Sequence, residues 1–276
     1  MTRRRAGSAV LNVVALAAAL VFVFPVYWMV VTAFKPADQI QTYVPVFIPS
    51  PPTLDNFAKA IGQPHFTDFV RNSVLVTGAT LALAILVGFL SAATLSRARL
   101  RGLAGFLLLV AVAQMAPFEA LLIPFYLVVR DVGLYNQLPS LVLVYFIFTL
   151  PFTIWSLRGF ISGIPVDLEE AAMVDGASRV GAFVRVTLPL LAPGLVATSI
   201  FCFITAWNEY FYAFVFMTDV QNYTLPVWLA SFRTSLGTDW GATMAASTLF
   251  TLPVLVFFLI VQNRMVGGLA TGAVKG

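Results

Sequence analysis

The sequence predicts an all-α membrane protein, with six transmembrane helices in a single domain over residues 1–276. Three observations predict it: the composition, the length of the apolar runs and the way basic residues are shared between the connecting segments. Hydrophobic side chains make up 60% of the chain and charged ones only 10%, against about 45–50% and about 25% in soluble domains. A soluble core cannot hide that much apolar surface, and a bilayer can. The apolar residues do not alternate as barrel strands require. Lipid offers no partner to free backbone groups, so the spans are helices.

A hydrocarbon core about 30 Å thick takes about 20 apolar residues in a helix. Residues 9–32, 73–95, 103–129, 138–155, 194–216 and 242–261 meet that length. The first run follows Arg3, Arg4 and Arg5. It is longer than a signal h-region of about 7–15 residues and is read as a retained helix. Segment 34–71 is the longest outer connection, and its stretch FIPSPPTLDNF predicts extended chain leading to a turn or short helix. Two uses stay open for it, a solvated link or a surface for an external partner. Pro117 and Pro124 predict a kink in the third span.

With the N-terminus inside, the inner segments hold Arg3, Arg4, Arg5, Arg97, Arg99, Arg101, Arg158, Arg179, Arg185, Arg264 and Lys275. The outer ones hold only Lys35, Lys59, Arg71, Arg130 and Arg233. Basic residues favour the cytoplasmic side, so both termini are predicted cytoplasmic. The net charge of +4 reports this orientation rather than nucleic-acid binding, because the basic residues form no soluble cluster.

Catalytic chemistry is poorly supplied. Cys202 and His65 are the lone residues of their kinds, which leaves no disulfide and poor material for a zinc site or a Cys-His or Ser-His-Asp constellation. No G-x-x-x-x-G-K-[ST] loop occurs, and the lysines are Lys35, Lys59 and Lys275 alone. No catalytic residue, metal ligand or cofactor is predicted in this chain.

The polar insert EEAAMVDGASRVGAFVRVTLPLLAPG, residues 169–194, fills most of the inner segment 158–193 and ends on the first residue of the fifth span. Pro165 suits a first helical turn, and Asp167, Glu169 and Glu170 complement the helix dipole there. Gly176 supplies a left-handed end, Ser178 a cap for a second helix, and Leu188-Pro189 a stop before the fifth span. The prediction is helix, sharp turn, helix. Ala171 and Ala172 form a flat face that admits close docking of another protein. A helix lying on the bilayer is the alternative, and its acidic character sits poorly on an anionic leaflet.

The spacing Glu170-Ala171-Ala172, three residues, Gly176, nine residues, Val186-x-Leu188-Pro189 resembles the EAA loop of ABC importer permeases, with valine at 186 where that family usually has isoleucine. RNSVLVT, PFEALLIPFYLVVRDVGLYNQ, FTLPFTIWSLRGFISGIPVDLEEAA, AWNEYFYAF, YTLPVWLASF and QNRMVGGLATGAVKG resemble the carbohydrate branch, in particular its maltose-type second permease subunit. The likeness runs from Pro25 to Gly276. It implies a type I ABC importer permease fold with a cytoplasmic EAA coupling-helix loop. By that likeness Glu170, Ala171, Ala172, Asp175, Gly176, Leu188 and Pro189 couple the chain to an ATPase. It also implies two ATP-binding subunits holding ATP and Mg, a second related permease and an extracytoplasmic sugar-binding protein. The setting would be a bacterial or archaeal cell (inner) membrane. The tail from Gln262 resembles the one that reaches between the ATPases.

Glu119 and Glu209 lie within spans, where carboxylates are costly unless paired or wet. Each falls about 22–24 Å from the cytoplasmic side at 1.5 Å per residue. With Gln114, Trp207 and Asn208 they are candidates to line a sugar path. The alternative is that they bond neighbouring helices or reach the outer interface. A secondary transporter coupled to an ion is the rival of another class, and it leaves the insert without a role. A membrane enzyme is a third reading, opposed by the missing catalytic groups.

Overall fold

The computed structural model describes the backbone of residues 2–98, 101–234 and 237–272, and the side chains of 11–98, 101–233 and 237–262. Arg3, Arg4, Arg5, Arg99, Arg264 and Lys275 of the orientation argument lie outside the described side chains. The tail is helical to Gly272, and residues 273–276 lie outside the description.

Four helices are long and apolar enough to cross a membrane: Leu11–Ala33, Phe66–Arg97, Leu138–Ser162 and Trp240–Gln262. A fifth candidate is the pair Arg179–Leu190 and Ala192–Trp207, bent by 67°. The chain is therefore a multi-pass helical protein. Its one sheet among the described residues is the antiparallel pair Arg233–Thr234 with Gly237–Thr238.

The third expected span, 103–129, is not one helix. It divides into Leu103–Ala113, a break at 114–118, a 3-10 turn Glu119–Leu121 and a helix Leu122–Asp131. The kink expected from proline is a full break, because Pro117 falls inside it and lacks an N–H to carry the ladder through. The fifth span also divides, into Ala192–Trp207 and Phe211–Phe216. The described residues fall into two compact units, those up to Phe66 with Trp228–Pro253, and Thr67–Val227 with those from Val254 on.

In the first unit segment 34–71 forms the short helix Asp55–Ile61 that its sequence predicts. Asn56 is buried and its amide donates to the carbonyls of Ala33 and Lys35 at 3.0 and 2.8 Å, which ties this helix to the end of the first span. Lys35 is buried with its ammonium 3.7 Å from the centre of the Trp28 ring. The face of that ring attracts the cation, and burial holds the amine below its ordinary value.

The second unit is held by small and hydroxylated residues, as membrane helices require when lipid is as apolar as their own side chains. A Cβ added at Gly194 would stand 2.5 Å from the Phe160 ring, and one at Gly88 would strike Thr153. Between Leu138–Ser162 and Ala192–Trp207, Ser156 and Thr198 share a hydrogen bond of 2.8 Å, and Thr153 meets Cys202 at 3.2 Å. Two apolar patches complete the packing. One gathers Leu141, Val144, Tyr145, Tyr212 and Phe216, and the other Ala92, Leu157, Ile161 and Leu191. The RNSVLVT motif anchors the start of the second span. Asn72 donates to the carbonyls of Gln221 and Tyr223, and Ser73 Oγ accepts from the Leu225 N–H at 2.7 Å.

Candidate functional site: a locked loop and a cavity at two broken helices

The polar insert folds as helix, turn, helix. Its first helix is Asp167–Val174, with acidic Asp167, Glu169 and Glu170 in the first turn, where the helix dipole favours them. Gly176 sits at φ +91°, a conformation that side chains with a Cβ resist. The Ala177 N–H reaches back to the Ala172 carbonyl at 3.0 Å and the Gly176 N–H to Met173 at 3.1 Å. That pairing satisfies the last carbonyls of the helix. Ser178 caps the next helix, its hydroxyl accepting from the Gly181 N–H at 3.1 Å.

Leu188-Pro189 does not stop the second helix, contrary to the sequence expectation. The helical path runs Arg179–Ala182, a wider π turn over Phe183–Thr187, then Leu188–Leu190, and bends only at Leu191. Pro189 has no N–H for the carbonyl four residues back. The wider turn just before it relieves the clash with the proline ring and lets the helix pass.

The two adjacent glutamates of this loop differ in exposure. Glu170 is exposed, together with Ala171, Val174, Asp175, Gly176 and Val180, while Ala172 is half-buried. Val174 is 88% exposed and Val180 73%, so the loop presents apolar and acidic groups side by side. Glu169 is buried, and one carboxylate oxygen takes all of its bonds. Arg97 donates to it from Nε at 2.9 Å and approaches it with Nη2 at 2.8 Å, and the Thr187 hydroxyl donates at 2.5 Å. Sequence reasoning missed this cluster. Arg97 counts there only as an orientation charge and Glu169 only as a dipole partner. The available signal is helix geometry, since neighbours on a helix point about 100° apart, so one of two successive glutamates can turn in while the other stays in solvent.

Four of the five path candidates come together. Gln114, Glu119, Asn208 and Glu209 line a cavity of about 710 Å³ with Phe118, Phe125, Phe148, Phe152, Phe201, Tyr210 and Phe211. Trp207 does not line it. It is buried and stacks on Phe203 with centroids 5.5 Å apart. The cavity sits at the helix breaks after Ala113 and after Trp207. Backbone groups freed at the breaks find partners there. Glu209 is buried and accepts from the N–H groups of Tyr212 and Ala213 at 2.9 and 3.2 Å, and from the Tyr145 hydroxyl. It thereby caps the helix Phe211–Phe216. The Tyr212 hydroxyl donates to the Phe118 carbonyl across the two breaks at 2.9 Å. Glu119, Gln114 and Asn208 are exposed to the cavity side, so they keep free polar capacity. Among the described lining residues no side chain is cationic.

Broken apolar helices around an aromatic and polar cavity, with an exposed polar loop in the same chain, fit a membrane permease. Residues 84–268 match the model of the binding-protein-dependent transport system inner membrane component family, and the chain belongs to that family. The diacetylchitobiose uptake system permease protein DasC of Streptomyces coelicolor is 47% identical over 96% of each chain. The trehalose/maltose transport system permease protein MalG of Thermococcus litoralis is 34% identical over 94% of this chain and 93% of its own. A crystal structure of a bacterial ABC transporter involved in import of the acidic polysaccharide alginate contains a chain of the same fold. Its TM-score is 0.78 at 22% identity, with 94% of this chain and 96% of that one covered. Family membership makes the chain a non-catalytic permease component and removes the ground for the secondary-transporter reading.

Proposed function

We propose that this chain is the second-permease-type subunit of an ATP-driven sugar importer and that its 165–189 loop docks in an ATPase subunit. The observation that carries the reading is the outward face of Glu170, Ala171, Val174, Asp175 and Gly176, on a helix whose inward residue, Glu169, is bonded to the protein. Small residues there admit a groove closely, and Glu170 is free to meet a cation within it. A lone surface helix needs no such anchorage.

In this reading six spans cross the membrane with both termini cytoplasmic. Leu103–Ala113 with Leu122–Asp131 makes the third span, and Ala192–Trp207 with Phe211–Phe216 the fifth. Two ATPase subunits bind ATP and Mg, a second permease completes the path, and an extracytoplasmic binding protein delivers the solute. Sugar is the solute class the cavity suits. Rings such as Phe148 and Tyr210 stack on CH faces, while Glu119, Gln114 and Asn208 take hydroxyls. Relatives named for diacetylchitobiose and for trehalose and maltose support the same class.

Affinity purification in mild detergent, with mass spectrometry of what accompanies the chain, tests the assembly. An ATP-binding subunit and a second multi-span protein are the expected companions. A chain that purifies alone after crosslinking contradicts the reading. Glu170→Arg should keep the protein in the membrane at wild-type level and strip the ATP-binding subunit from it. Retention of that subunit would remove Glu170 from the docking face.

A further inference from the structure

We infer that Arg97, Glu169 and Thr187 form a latch that carries movement of the loop into two spans at once. The inference rests on the docking reading above and concerns what lies behind the docked face. One carboxylate oxygen of Glu169 joins three separate pieces of chain. Arg97 is the last residue of the helix Phe66–Arg97, Glu169 stands in the first turn of Asp167–Val174, and Thr187 closes the wide turn before the bent fifth span. Arg97 adds a fourth tie, donating from Nη2 to the Ile164 carbonyl at 3.1 Å, just ahead of the loop.

The side chains of Arg97 and Glu169 are only 18% and 7% exposed. A pair so shielded resists sliding, because any displacement strands a charge away from both water and partner. A surface ion pair would exchange its partner for water and transmit little. The planar guanidinium holds two directions at once, toward the carboxylate and toward the Ile164 carbonyl, which a lysine cannot reproduce. Thr187 makes the third bond with a neutral hydroxyl at a fully buried position. Push on the exposed face of Asp167–Val174 is therefore delivered to the second span through Arg97 and to the fifth through Thr187. The three residues are positioning residues: Arg97 and Glu169 lie at the inner end of a hollow that Glu170 also lines, and Thr187 is fully buried.

The test uses the assembled transporter with its co-purified ATP-binding subunits. The background is Cys202→Ser, with a reporter Ala113→Cys on the wall of the cavity between the broken spans. A charged thiol reagent reads how fast the reporter reacts, with and without ATP and vanadate. In the intact latch, nucleotide should change that rate by about tenfold, within the usual range for coupled sites. Arg97→Lys, Glu169→Gln and Thr187→Val should keep the ATP-binding subunits bound and the ATP hydrolysed. They should shrink the nucleotide effect to about twofold or less, below the usual range for coupled sites. Thr187→Ser should restore it. A full nucleotide effect in all three variants overturns the latch while the docking reading stands. No nucleotide effect in the intact transporter overturns both. Glu169→Gln bears the greatest risk of misfolding, and Thr187→Val, which strands no charge, decides the question if that variant is lost.

Discussion

Glu169 and Glu170 are neighbours in sequence and opposites in the structure. Glu170 stands out from the helix, and Glu169 turns in to Arg97. The motif spacing makes Glu170 legible in the sequence, while Glu169 is legible only once Arg97 and Thr187 are known to converge, 72 and 18 residues away. Gly176 is the opposite case, legible at once because a helix followed by glycine and a serine cap implies a left-handed residue. Its φ of +91° bears this out. Gly176→Val should destabilise the protein by about 1–3 kcal/mol, the cost of forcing a branched residue into that region, as read from thermal unfolding in detergent. Gly176→Asn should cost less, since asparagine tolerates the conformation. Lys35 gives a dependence on pH. Burial lowers its folded-state value below the ordinary 10.5, so the unfolded chain holds this proton to higher pH than the folded one. Stability therefore rises with pH between the lowered value and the ordinary one. Replacing the amine in Lys35→Met should flatten the unfolding temperature across that alkaline window relative to wild type. An unchanged slope would show that the amine does not feel its burial.

At the scale of elements, hydropathy places the membrane segments and cannot see how they are broken. The runs 103–129 and 194–216 are each apolar enough on average to read as one span, yet each divides near its carboxylate, Glu119 or Glu209. Pro117 announces the first break. The second has no proline and is set instead by Glu209, which takes the N–H groups of Tyr212 and Ala213 and starts a new helix. That effect is tertiary, because Glu209 needs Tyr145 from another helix to complete its bonds. Pro189 misleads in the reverse direction, since a wide turn carries the helix past it to Leu191. Helix approach is similarly hidden, because a glycine in an apolar run gives no sign of what it faces. Gly194→Val would drive a branched side chain into the Phe160 ring, already 2.5 Å from the place of a Cβ. Overpacking of this kind costs about 1–3 kcal/mol, and Phe160→Ala should relieve it in the double variant. Additive losses in the two single variants would show that the contact is not the cause.

In the whole molecule, the exposed loop is tied by a buried ion pair to the helix Phe66–Arg97, and the cavity lies at the helix breaks after Ala113 and Trp207. Composition and motif spacing reach the class of protein and the docking loop. They do not reach the cavity wall, since Gln114, Glu119, Asn208 and Glu209 meet only through the fold and Trp207 departs from them to stack on Phe203. The central claim is that the outward face of Asp167–Val174 sits in an ATP-binding subunit. Site-directed crosslinking tests it most directly, because the buried Cys202 is easily replaced by serine and Val174 is 88% exposed. Val174→Cys in the Cys202→Ser background should form a crosslinked product with an ATP-binding subunit in native membranes, with a yield that changes when ATP is added. A Val174→Cys chain that is fully reactive toward a small thiol reagent, yet never joins an ATP-binding subunit at any nucleotide concentration, would contradict the account.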